Sequence, residues 1–173
     1  MFVEYAKAAP KDILIRISAV NRGPDAAPLH LLPTLWYRNN WIWHLEKEPG
    51  FAEPLLRAES ADDGETGVIF AENSRIGRYI LAWECTKDNA AGIPTMLFTN
   101  NETNVQRLFD FPNQTPFVKD GINDAIVHSA TGTVNPEQTG TKAAVHYQFS
   151  VPPGAPAPYG RRWRWSGCFR QVR

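Results

Sequence analysis

Cysteine is scarce in this chain. Cys85 and Cys168 are the two present, too few for a disulfide framework, and neither belongs to a CxxC pair. Buried thiols in a reducing compartment are the expectation. No apolar run approaches the ~20 residues needed to cross a bilayer. No signal peptide opens the sequence, so a cytoplasmic protein without a membrane partner is expected. Net charge is missing as well. The 18 lysines and arginines balance 18 aspartates and glutamates, which gives no overall pull toward nucleic acid or an acidic partner. Phosphate-cradling loops of the form GxGxxG or GxxxxGK[ST] are absent. His30, His44, His128 and His146 lack metal-ligand spacing such as HExxH. Ser166, in "WSGC", is not part of a GxSxG nucleophile elbow. The expectation is therefore a protein with no cofactor and no metal.

What is present is strand. The 173 residues make one domain by size. "FVEYAKA" (2–8) alternates apolar and polar positions, and "DILIRISAV" (12–20) places Ile13, Ile15, Ile17 and Ala19 on one face. After the turn signal "NRGPDAAP", Leu29, Leu31, Leu35 and Tyr37 share one face of the next strand. His30, Leu32, Thr34, Trp36 and Arg38 share the other. Pro33 cannot donate to a ladder, which implies an edge position or a bulge. Trp41 and Trp43 repeat the period of two beyond Asn39-Asn40. "PLLRAES", "TGVIFAE", "GRYILAWEC" and "IPTMLFT" are further strands, and "KAAVHYQFSV" (142–151) sets Ala143, Val145, Tyr147 and Phe149 on one side.

Past residue 100 the pattern changes. Thr103 and Gln106 match a capping box, predicting a short helix through Phe109 that stops before Pro112. Thr115-Pro116 predicts the start of a second helix, with Val118, Ile122 and Ile126 along one face. Short strands with two late helices predict a mainly β fold. The expectation is an antiparallel β-sandwich over residues 1–151, with one or two short helices after residue 100.

Two features stand apart. The run "LHLLPTLWYRNNWIWH" (29–44) concentrates indoles with arginine and asparagine. Indole faces cover the CH faces of sugars while such polar groups hydrogen-bond in plane, but core or domain-interface aromatics fit equally. Trp36, Arg38, Asn39, Trp41 and Trp43 are the candidates for carbohydrate or domain contact, and no catalytic residue is assigned. The segment 152–173 carries all five arginines of the last 23 residues and no acid. Its prolines and glycines predict a loop, and it is expected to be a disordered or foreign basic tail.

The segments "VEYAKAAPKDILIRISAVNRGPDAAPLHLLPTLWYRNNWIW", "LFTNNETNVQRLF", "PFVKDGINDAIVH" and "VNPEQTGTKAAVHY" resemble the N-terminal part of bacterial glucosidase-like proteins. Those are related to the mannosyl-oligosaccharide glucosidases of glycoside hydrolase family 63. The resemblance covers about residues 2–150 and implies part of a β-supersandwich. It implies a catalytic acid and base in a helical (α/α)6 barrel that this chain lacks. The barrel is then the expected partner, with an oligosaccharide near the junction. By this resemblance the chain is a non-catalytic N-terminal fragment of an α-glucosidase, with a stand-alone carbohydrate-binding or protein-docking module as the alternative.

Overall fold

Period-two apolar spacing becomes strand along most of the chain. The computed structural model describes residues 1–44, 52–60, 66–84, 94–154 and 163–172. Its strands are β1 (Phe2–Ala9), β2 (Asp12–Ala19), β3 (Ala27–Leu31), β4 (Thr34–Trp36), β5 (Leu55–Ser60), β6 (Thr66–Asn73), β7 (Gly77–Glu84), β8 (Thr95–Thr99), β9 (Thr139–Gly140), β10 (Lys142–Val151) and β11 (Trp163–Val172). Helices α1 (Trp41–His44), α2 (Val105–Phe109) and α3 (Gly121–Val127) are short. A seven-stranded sheet runs β1-β2-β11-β7-β6-β5-β9, and β3, β4 and β8 flank β10 in a four-stranded one. The strands pair antiparallel throughout. This is the expected mainly β, antiparallel sandwich.

The core lies where the two sheets meet. β10 turns Ala143, Val145, Tyr147, Phe149 and Val151 inward, onto Ile17, Leu56, Ile69, Leu81 and Trp83 of the larger sheet. Burial of each large aliphatic or aromatic side chain contributes about 1.5–3 kcal/mol. Leu29, Leu31, Leu35 and Tyr37 pack against this cluster, the face that alternation assigns to them. Strands β3 and β4 keep one register against β10, with Leu31 opposite Tyr147 and Thr34 opposite Ala144. Between them Val145 N–H donates to the Pro33 carbonyl at 3.0 Å. Pro33 thus interrupts an edge strand without shifting its register: its carbonyl takes the Val145 N–H, and the return bond of that pair is missing because proline has no donor.

Three local expectations are corrected. The period of two does not continue through Trp41 and Trp43, which form the helical turn α1. The ladder runs out there: β10 begins at Lys142, opposite Trp36, and the last contact is Tyr37 N–H to the Thr141 carbonyl at 3.0 Å. The cap of α2 is Asn104 rather than Thr103, and its side chain accepts from Arg107 N–H at 3.0 Å. Thr103 instead accepts from Lys119 Nζ at 3.1 Å. The second helix starts at Gly121, not at Pro116. Residues 117–119 spend their backbone groups on a neighbouring segment, through Asn100 N–H to Phe117 O (2.7 Å) and Lys119 N–H to Glu102 O (3.0 Å). At Gly121 a Cβ would lie 2.1 Å from the Thr133 carbonyl oxygen, so the helix approaches that loop only with glycine in place.

The tail holds a larger correction. Residues 163–172, expected to be disordered, form β11 between β2 and β7. Trp163 to Arg170 pair with Ala19 to Asp12, and Gly167 to Val172 pair with Trp83 to Arg78. The sheet therefore extends beyond residue 151. The alternation in "WRWSGCFRQV" suits a strand, and the slot between β2 and β7 offers two rows of backbone groups that need partners. Arg170 also makes an ion pair with Asp12 at 2.8 Å.

Candidate functional site

Helix α3 stands against the outer face of the four-stranded sheet, and an open groove of about 820 Å³ lies between the helix and the β3–β4 strands. Its wall on the β3–β4 side is His30, Leu32, Thr34 and Trp36, the even positions of a strand whose odd positions face the core. The opposite wall is Ile122, Asn123, Ile126 and Val127 of α3, closed at one end by Asn101 and Lys142. Ile122 and Ile126 are one helical turn apart, as their spacing of four requires.

Electrostatics here are shaped by burial. His30 Nδ1 and His146 Nε2 share a hydrogen bond of 2.9 Å, with the rings stacked at 5.0 Å between centroids. Burial, then the neighbouring His30, holds the His146 imidazole below its usual value. Burial is also the main cause that lowers the Lys142 ammonium, with Asp120 opposing and Lys119 adding to the shift. Lys142 Nζ donates to the Lys119 carbonyl at 2.5 Å. Among the described residues no three His, Cys, Asp or Glu side chains gather into a metal-binding group.

The five candidates from the aromatic run part company. Trp36 is 55% exposed and stands in the groove wall. Arg38 is exposed but outside that wall. Asn39 donates from Nδ2 to the Asn101 carbonyl at 3.1 Å, a structural contact. Trp41 is 2% exposed and presents no indole face to a ligand; its buried Nε1 has no partner among the described residues. Trp43 lies in α1, and its side chain is outside the described residues.

Asn101 is the residue that sequence reasoning missed. It takes a hydrogen bond from Asn39, donates from Nδ2 to the Tyr37 carbonyl at 2.8 Å, and donates its N–H to Thr141 Oγ1 at 2.7 Å. It joins the end of β8 to the exit of β4 and the entry of β10. Its one signal in the sequence is the Asn-Glu-Thr triplet, a glycosylation pattern, yet its amide nitrogen is already engaged. Asn113, in the second such triplet, donates from Nδ2 to Asn104 at 2.9 Å.

Beside the groove stands α2, which buries none of its five residues. Leu108, Phe109 and Phe111 are 60%, 62% and 68% exposed. The helix is held by polar contacts instead. Arg107 reaches Asp120 at 2.6 Å and also pairs with Asp124 of α3, while Asn104 Nδ2 contacts both Asp120 oxygens at 3.2 Å.

The fold and these surfaces define an antiparallel β-sandwich with an open groove and a fixed apolar projection. No family model matches the chain. The uncharacterized protein YMR196W of Saccharomyces cerevisiae is similar to it, 29% identical over 175 residues. That match takes in 89% of this chain and 15% of the yeast protein, so the chain spans a small part of its relative's length. No described helix is long and apolar enough to cross a membrane.

Proposed function

We propose that this chain is a non-catalytic β-sandwich domain of a larger glucosidase related to glycoside hydrolase family 63. In this reading it belongs to a supersandwich that seats a helical (α/α)6 barrel, and the barrel supplies the acid and base that hydrolyse an α-glucosidic bond. The observation that carries the reading is α2. Two large apolar side chains, Leu108 and Phe109, stand exposed on a helix fixed by Arg107, Asp120 and Asp124 rather than by burial, and Phe111 just past its end is exposed as well. A surface of that kind marks contact with another protein surface. The four family-like segments of the sequence supply the identity of the barrel. The share of the yeast relative that the chain spans agrees with a domain of a longer protein.

The test is to co-express the chain with a family 63-like barrel domain and assay both for co-elution and for hydrolysis of an aryl α-glucoside. The complex is expected to form and to cleave, and the chain alone is expected to be inert. Phe109→Ser with Phe111→Ser should abolish co-elution without unfolding the sandwich. Turnover by the isolated chain, or a complex indifferent to both substitutions, would sink the reading. Trp36 favours a second one, a carbohydrate-binding module, because its indole shares the groove with Asn101 and Asn123. That module would show a melting shift with an oligosaccharide panel that disappears in Trp36→Ala.

A further inference from the structure

The edge of the larger sheet points to self-association. We infer that β1 is a docking edge for a second copy of this chain. The two β1 strands pair antiparallel about a two-fold axis at Tyr5 and join both seven-stranded sheets into one. This goes beyond the domain reading above and uses the other sheet.

β1 is the last strand in its sheet, and among the described residues nothing pairs with its outer edge. All eight of its residues are exposed, Tyr5 at 71% and Phe2 at 62%. Native edges are usually blunted by shortness, charged side chains, proline or bulges, because unpaired N–H and C=O groups template another strand. The opposite edge obeys this rule, since β9 has two residues. β1 obeys it only in part: it carries Glu4 and Lys7 and an irregularity between Lys7 and Ala9, yet Phe2 to Lys7 form an unbroken run paired with Ser18 to Ile13.

The strand's own sequence names the occupant. A two-fold axis at Tyr5 sets Val3 opposite Lys7 of the second copy, Glu4 opposite Ala6 and Phe2 opposite Ala8. The two Tyr5 rings meet at the axis as an aromatic pair, Glu4 and Phe2 meet alanines, and no like charges stand directly opposed. The Glu4 carboxylates that approach near the axis are each paired with their own Arg16, at 2.8 and 2.7 Å. An axis at Ala6 would draw the irregular Ala8–Ala9 region into the ladder, which favours Tyr5. Such a contact is isologous and closes at two copies.

Sedimentation velocity over a concentration series tests this on the full chain. The expected result is a monomer–dimer equilibrium. Val3→Lys, which opposes two lysines, should weaken the dimer about tenfold or more. Val3→Glu should tighten it, and Val3→Lys with Lys7→Glu should restore it. Position 3 is exposed, so circular dichroism should show all variants folded. A chain that stays monomeric at every concentration overturns the inference, as does a dimer whose dissociation ignores the three substitutions. Phe109→Ser with Phe111→Ser leaves this dimer intact, so the failure of one reading is distinguishable from the failure of the other.

Discussion

The indole of Trp83 stands in the space that a side chain on Gly67 would need. The two are direct partners across the β6–β7 ladder, and a Cβ at position 67 would lie 2.2 Å from Trp83 Cε2. Glycine in a strand interior often marks such a close approach. Here it lets a buried tryptophan lie across the neighbouring strand.

Gly67→Ala is therefore expected to destabilise the sandwich by about 1–3 kcal/mol through overpacking. Urea unfolding measures the loss. Combining it with Trp83→Leu should recover part of it, and strict additivity of the two changes would rule out the steric cause.

Asn101→Ala removes the donor to the Tyr37 carbonyl, a part-buried bond of 2.8 Å. The expected cost is about 1–3 kcal/mol, the penalty for leaving a buried acceptor unpaired. Hydrogen exchange should quicken at Tyr37, whose N–H donates to the Thr141 carbonyl at 3.0 Å in a bond that Asn101 braces. Unchanged exchange there would show that Asn101 is not the brace.

His30 and His146 share one hydrogen bond between ring nitrogens, so one imidazole must accept. The folded value of His146 is lowered, first by burial and then by His30. A lowered histidine contributes stability that is present above the unfolded value near 6.5 and lost as pH falls through the folded value. Melting temperature should drop on acidification below that range. His146→Phe should flatten the acid limb, which thermal scans across pH will read.

At alkaline pH the relevant group is Tyr37. Burial, then Glu72 and Tyr79, push its hydroxyl from 10.0 up to about 12. A raised value means that this stability is complete below pH 10 and lost as pH climbs through about 12. The buried hydroxyl has no hydrogen-bond partner among the described residues, so Tyr37→Phe should fold well and show a shallower alkaline loss. Spectrophotometric titration at the phenolate band gives an independent check.

Much of the sandwich was legible in the chain, for a geometric reason. Alternation depends only on the backbone pleat, so Leu29, Leu31, Leu35 and Tyr37 could be assigned to one face before any partner strand was known. The same rule put His30, Leu32, Thr34 and Trp36 together, and they became a groove wall. The groove itself was not legible. Its other wall comes from α3, some ninety residues later, and no local pattern records that meeting. Residues 163–172 were hidden for a related reason: the prolines and glycines before them signal a loop, and only the slot between β2 and β7 makes their alternation count.

By itself the sequence determined the antiparallel β class, the strand faces and the existence of two short helices after residue 100. These follow from side-chain period, turn chemistry and capping, which act over a few residues. Tertiary structure alone decided which members of the aromatic run are core and which are surface. Trp36 remains on the ladder and faces outward, whereas Trp41 passes the end of β10, loses its strand partner and turns into the interior. The difference lies in where another strand stops, and that strand begins a hundred residues away.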